Sequence, residues 1–352
     1  MIMYIVLLVL LFFMYPFFRK KSIQVAGKAI MLNNKVYIIM VSSILIVLLG
    51  FRGLSVGIDT MSYNNIFNSI NSLNFSQLFE LKDEYGYILL QLFVGKVFGD
   101  FHFLLIIVAV VYIGVVSYHI YKYSGNPLLS YLLFIVYGFY SFAMSATRQT
   151  IAIALVMLAF EFIKEKKLFK FLFCVFLASS FHITALIFLP SYWFNKFKLN
   201  RKTILLFVLI GLITIVIKDE LRMLLNSFAR IVYPAIETGG NRMYIFMVLS
   251  VLLGIIFRKP FIAKNENNKY LFYMMLASII IMPVTQFNPT IMRLYYYYFV
   301  FMIIYIPNIL YTIKDKRIRT IGACSYFIIG AILFFTSLIH TNQLETYLFF
   351  WQ

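Results

Sequence analysis

Residues 123–147 read YSGNPLLSYLLFIVYGFYSFAMSAT, a stretch without one charged side chain that stops at Arg148. A helix rising 1.5 Å per residue crosses a hydrocarbon core about 30 Å thick with roughly 20 apolar residues, and this run is longer. The pattern repeats outward in both directions, with charge-free runs at 2–18, 36–51, 101–121, 171–195, 203–217, 243–257, 270–292, 294–313 and 320–344. Of the 352 residues, 62% are hydrophobic and only 12% charged, outside the range of soluble domains. The alternating ten-residue segments of a membrane β-barrel do not occur. The expectation is an all-α polytopic integral membrane protein, one transmembrane domain over 1–352 with roughly 11–12 membrane helices and no soluble domain. The run at 2–18 has no basic residues before it and no small-residue cleavage site after it, so it reads as a retained helix. Cys174 and Cys324 sit in apolar runs, where cysteine behaves as a small hydrophobe.

The net charge of +18 would suit a nucleic-acid partner, but its distribution argues against one. Most of the 31 Lys and Arg residues fall in short loops, at 19–35, Lys122, 164–170, 196–202, 258–269 and 314–319. The positive-inside rule places such loops in the cytoplasm. The remaining basic residues are matched in number by acids, so the excess is a topology signal and no nucleic-acid partner is expected. Two conditions keep this assignment consistent. The segment 85–95 must not cross, which makes 52–100 an outer loop carrying interfacial helices. The run 171–195, basic at both ends, must fold back as a helical hairpin over 168–195 that turns near Phe181 and His182. Both termini then lie outside, and the outer loops 52–100 and 218–242 are expected to contribute to the active site.

Ionisable groups near membrane depth are costly and mark function by default. On the outer side they are Arg52, Asp59, Glu84, Arg148, His182, Glu237, Arg242 and Arg293. An arginine at a bend also snorkels without function, and the Tyr295–Tyr298 run also reads as an interfacial aromatic belt. His182 stands where the hairpin turns, in a segment with no other titratable group, and imidazole is well suited to moving a proton near neutral pH. The chain has no phosphate-binding glycine loop, zinc-binding HExxH, CxxC or nucleophile elbow. Any chemistry therefore acts on a substrate that reaches the outer half of the membrane.

Four stretches carry a family resemblance. FRGLSVGIDTMSYNNIF supplies Arg52, Val56, Gly57, Asp59, Thr60 and Tyr63, and EYGYILL supplies Glu84, Gly86 and Tyr87. SATRQTIAIALVMLAFEFIKEKK contains Arg148-Gln149 and a following alanine, and LASSFHITALIFLPSYW contains Phe181-His182 and a later proline. Together, with Asn241-Arg242 and Arg293-Leu294-Tyr295, they make the chain resemble the EpsG family of Wzy-type bacterial polysaccharide polymerases. The resemblance implies glycosyl transfer on the outer face of the bacterial plasma membrane. A growing glycan would move from its polyprenyl diphosphate onto an incoming lipid-linked oligosaccharide repeat unit.

The residues fit such a reaction. Departure of a diphosphate builds negative charge that guanidinium groups stabilise bidentately, which makes Arg52, Arg148, Arg242 and Arg293 the diphosphate-binding candidates. The acceptor hydroxyl must lose a proton; His182 is the first candidate base, with Asp59 and Glu84 next. Tyr63, Gln149 and Tyr295 are the candidates for glycan contact. No metal and no cofactor beyond the lipid carrier is expected, and the partners are membrane lipids with the flippase and chain-length regulator of the same pathway. Two rivals remain: an O-antigen ligase-like transferase using the same donor, and a flippase for lipid-linked oligosaccharide. Paired broken helices in repeated halves would mark a transporter, and the sequence shows one broken segment and no repeat.

Overall fold

The computed structural model describes residues 1–18, 22–25, 28–31, 34–73, 77, 84–228, 240–285, 288–340 and 346–352. Glu237 and the centre of the 218–242 loop lie outside the described residues. The helices run, in order, α1 (Ile2–Phe18), α2 (Lys35–Gly50), α3 (Thr60–Ser72), α4 (Tyr85–Phe98), α5 (Phe101–Tyr123), α6 (Pro127–Val136), α7 (Phe139–Ser145), α8 (Thr147–Lys164) and α9 (Leu168–Phe181). A 3-10 segment, Ile183–Lys196, follows, then α10 (Arg201–Val216), α11 (Lys218–Phe228), α12 (Asn241–Ile256), α13 (Arg258–Lys264) and α14 (Asn268–Thr285). Short pieces α15 (Pro289–Met292), Arg293–Tyr295 and α16 (Tyr296–Phe299) lead into α17 (Met302–Leu310) and α18 (Lys316–His340). The membrane reading stands, with one departure from an all-helical chain. The basic stretch 19–35, expected to be a plain loop, holds an antiparallel pair of short strands, β1 (Ser22–Val25) and β2 (Lys28–Met31).

The expected count of roughly 11–12 membrane helices is met in part. Among the described residues, 3 helices (α5, α14 and α18) are long and apolar enough to cross a membrane, or up to 5 when the bent pairs α6–α7 and α12–α13 each count as one, and α1, α2, α4 and α9 are shorter apolar helices. A charge-free run measures the absence of charge, not the continuity of a helix. The run 123–147 is the instructive case: Asn126 caps α6 through the Leu129 amide, Pro127 fills the first turn, and the helix stops at Gly138. Gly138 has φ +80°, a left-handed conformation that glycine adopts without a Cβ clash, and α7 restarts there bent by 49°.

The expected hairpin is present. α9 ends at Phe181, His182 is extended, and the 3-10 segment returns along α9 until the Tyr192 hydroxyl donates to the Lys166 carbonyl at 2.9 Å. The α4–α5 corner is equally local in origin, because Gly99 closes α4 at φ +71° and Asp100 caps α5 by accepting from the His102 amide at 2.9 Å.

At the centre stands α17, buried on every side, as befits a helix that is apolar on nearly every face. Lipid is as apolar as these side chains, so helix association rests on packing and on hydrogen bonds. Tyrosines supply many of the bonds. Tyr140 donates to the Leu45 carbonyl at 3.0 Å, Tyr137 to Tyr326 at 2.9 Å and Tyr298 to Ile187 at 2.6 Å. Each such tie contributes about 0.6 kcal/mol. Tyr295, Tyr297 and Tyr298 are buried, so this run is core and not an interfacial belt.

The polar groups collect at the two ends of α8. At one end Glu161 meets Lys122 and Lys164, and Asn308 ties Tyr123 and Gly125 to Asn268. At the other end lie the loop after α2, the start of α4, the hairpin turn, Arg293 and the C-terminal residues.

Candidate functional site

The loop after α2 is held from inside. Arg52 turns its guanidinium away from solvent, 1% exposed, and donates to the carbonyls of Leu49 and Met144. Burial lowers its pKa to about 10, which leaves it charged at neutral pH. The Met144 carbonyl also accepts from Thr60 Oγ1 at 3.1 Å, and Gly57 packs on the same oxygen at φ +94°, where a Cβ would overlap it. Residues 347–352 complete the clamp. The Gly53 amide donates to Leu348 at 2.8 Å, the Phe350 amide to Phe51 at 3.0 Å, and Phe349 bridges to Arg52. Asp59 emerges from this clamp at the start of α3.

The chemical centre is assembled around Glu84, at the head of α4. One carboxylate oxygen lies 2.6 Å from His182 Nδ1 and accepts the Ile183 amide at 3.0 Å; the other lies 3.1 Å from Arg148 Nη1. Three chain segments 34 or more residues apart thus meet on one carboxylate. Burial alone would raise the Glu84 carboxyl, but the His182 hydrogen bond and charge, the Ile183 amide and Arg148 together hold it below the usual glutamate value. The extended backbone at His182 is what breaks the hairpin and aims the imidazole. A proton on Nδ1, facing the carboxylate, leaves Nε2 with a lone pair to accept another. The His182 and Arg148 side chains remain 26% and 29% exposed, while Glu84 is 13% exposed. The two groups that would meet a substrate are therefore the accessible ones.

A second pair lies beside the first. Arg293 Nη1 stands 3.9 Å from Asp59, beyond hydrogen-bond distance, with both side chains about one-third exposed. Gln149 donates to the Arg293 carbonyl at 3.0 Å, which locks the break before α16 onto the first turn of α8. Tyr63 lies beneath Arg148, whose guanidinium carbon is 5.7 Å from the ring centre, a cation–π contact.

The structure thus brings together His182, Glu84 and Arg148, and sets Asp59 and Arg293 beside them. It places the other candidates elsewhere. Arg52 is buried and donates to carbonyls, where it braces the loop. Arg242 is exposed in the first turn of α12 and makes no ion pair among the described residues. Tyr63, Gln149 and Tyr295, expected to touch glycan, are all buried. One face of Tyr63 is covered by Arg148, the Gln149 amide is used on backbone, and Tyr295 packs edge-on against Tyr296. Sequence reasoning missed the support from Met144, a carbonyl with no signature in the side-chain code, and the pairing of residues 348–350 with 51–53. It also missed the Thr184–Tyr297 hydroxyl contact at 3.0 Å, although Thr184 lies two residues past His182. Among the described residues no three His, Cys, Asp or Glu converge on a metal position.

A bundle of apolar helices, with carboxylate, imidazole and guanidinium groups gathered from distant segments at one end, defines a multi-pass membrane protein with a polar site at one end of its helices. The family comparison sharpens that class. The chain belongs to the EpsG family, whose model matches residues 35–351, and membership points to an exopolysaccharide polymerase of Wzy type. No curated protein and no solved structure gave a significant match.

Proposed function

We propose that this protein polymerises polyprenyl-diphosphate-linked oligosaccharide repeat units on the outer face of the bacterial plasma membrane. The observation that carries the proposal is the grip of Glu84 on both His182 Nδ1 and Arg148. It orients a base and an anion-binding group toward one accessible place. His182 Nε2 takes the proton of an acceptor hydroxyl on the incoming unit as that oxygen bonds to the anomeric carbon of the donor glycan. The bond from that carbon to the diphosphate oxygen breaks, and its electron pair leaves with the polyprenyl diphosphate. Arg148 and Arg293 stabilise the charge that develops there. The loose Asp59–Arg293 pair suits this role, because an arriving diphosphate can replace Asp59 on the guanidinium without breaking a short hydrogen bond.

A membrane-embedded site of this kind needs its lipid-linked units delivered by a flippase, and a chain-length regulator is a second expected partner. The test uses purified protein in lipid with synthetic polyprenyl-diphosphate-linked repeat units, resolved by glycan length. A ladder of longer lipid-linked products supports the proposal. Transfer of a single block to a different acceptor would identify a ligase, and units that stay unchanged but move between leaflets would identify a flippase.

A further inference from the structure

At the basic end of the molecule, α8 closes at Lys164 and α9 opens at Leu168. A groove of about 390 Å3 runs along their outward faces, lined by Phe162, Phe169, Lys170, Phe173 and Cys174. Phe169 and Phe173 are among the most exposed aromatic side chains of the chain. The lining holds a single charge, that of Lys170. Lys122 and Lys164 lie on Glu161, and Lys167 lies 2.8 Å from Glu165. Lys170 makes no ion pair among the described residues, and its Nζ is held 5.9 Å from the centre of the Phe162 ring, over the groove.

We propose that this groove binds an anionic phospholipid, with one acyl chain along Phe162, Phe169, Phe173 and Cys174 and the phosphate on Lys170. Lipid tails are as apolar as the groove, so the aromatic lining accepts any acyl chain and selects none. Selection has to come from the headgroup. The Lys170 ammonium, poised over the Phe162 ring on a stem long enough to reach the headgroup layer, supplies it. The groove also opens within the 164–170 basic cluster, on the side that the distribution of Lys and Arg assigns to the cytoplasmic leaflet, whose surface potential is negative.

The test is native mass spectrometry of the purified full chain after exchange into mixed phosphatidylglycerol and phosphatidylcholine. Wild type should retain phosphatidylglycerol in preference, and Lys170→Gln should reduce that preference about fivefold. Cys174→Trp, which fills the groove without changing charge, should lower retention of both lipids alike. Lys202→Gln, an exposed cation in another basic loop, should behave as wild type. Equal retention of the two lipids by wild type, or a preference that survives Lys170→Gln, would overturn the proposal. So would an equal loss in Lys202→Gln, which would mark a diffuse surface charge, or retention of a second protein chain in place of lipid.

Discussion

The two ends of α8 each carry a glutamate-centred cluster, about 20 Å apart along the helix, and they are built differently. At the basic end, Glu161 accepts from Lys122 and Lys164, both at 2.9 Å, and from the Tyr123 hydroxyl. His119 beside it is fully buried, with Nδ1 given to the Val115 carbonyl at 2.9 Å. The charged groups there are paired within the protein, on α5 and α8, with His119 Nε2 left 3.7 Å from Glu161 without a hydrogen bond. At the other end Glu84 draws its partners from α8 and the hairpin turn, and the imidazole and guanidinium it holds remain accessible. A saturated cluster joins helices. A cluster held from one side, with its other side open, is suited to receiving a ligand.

The largest expected effect separates these two roles. His182→Ala and Arg148→Ala should each lower polymer formation by about 10²–10⁴-fold, the range of a positioned base or a charge-stabilising donor. Their melting temperatures should fall only modestly, since each variant leaves Glu84 one of these two partners and the Ile183 amide. Glu161→Gln should do the reverse. It leaves Lys164, 9% exposed, facing a neutral amide, and breaking a buried pair in this way costs about 3–5 kcal/mol of stability. Turnover per folded molecule should be preserved. Thermal unfolding and the ladder assay on the same preparations decide the matter. Loss of turnover in a fully folded Glu161→Gln variant would erase the distinction between the two ends.

A smaller effect probes the loop that presents Asp59. Gly57→Ala forces a side chain into φ +94° and onto the Met144 carbonyl. Strain of this kind costs about 1–3 kcal/mol. The loop should shift, weakening the Asp59–Arg293 approach and lowering polymer yield, while the basic end is untouched. Unchanged yield and melting temperature would mean that the loop is not held as tightly as its carbonyl clamp implies.

These contrasts also mark what the sequence disclosed. The hairpin around His182 was legible because basic clusters flank a charge-free run too short to cross twice and wrongly charged to cross once. Glu84, His182 and Arg148 were legible as costly groups on the outer side, but their meeting was not, since nothing local joins residues 84, 148 and 182. The continuity of the helices was less legible: Gly138 interrupts the run 123–147 without adding charge, and hydropathy does not register it. The buried tyrosines misled in a similar way, because composition does not show whether a hydroxyl finds a carbonyl across a helix interface or a headgroup at the membrane surface. Residues 348–350 gave no sign of their pairing with 51–53, a contact between segments nearly 300 residues apart.

The smallest expected effect is a pH dependence confined to one end. Glu84 is held below the ordinary glutamate value of 4.5, with burial opposing and His182, the Ile183 amide and Arg148 prevailing. A depressed carboxyl contributes stability that is fully present above its unfolded pKa and is lost as pH falls through the folded one. Comparing wild type with Glu84→Gln isolates this term, because Glu161 and all other carboxylates are common to both proteins and cancel in the difference. The melting-temperature advantage of wild type should therefore be lost as the solution is acidified below the ordinary glutamate value. An advantage that persists unchanged well below the ordinary carboxylate range would mean that Glu84 holds His182 and Arg148 without its charge. The accessible end of α8 would then owe its geometry to neutral hydrogen bonds, and its contrast with the saturated end would rest on exposure alone.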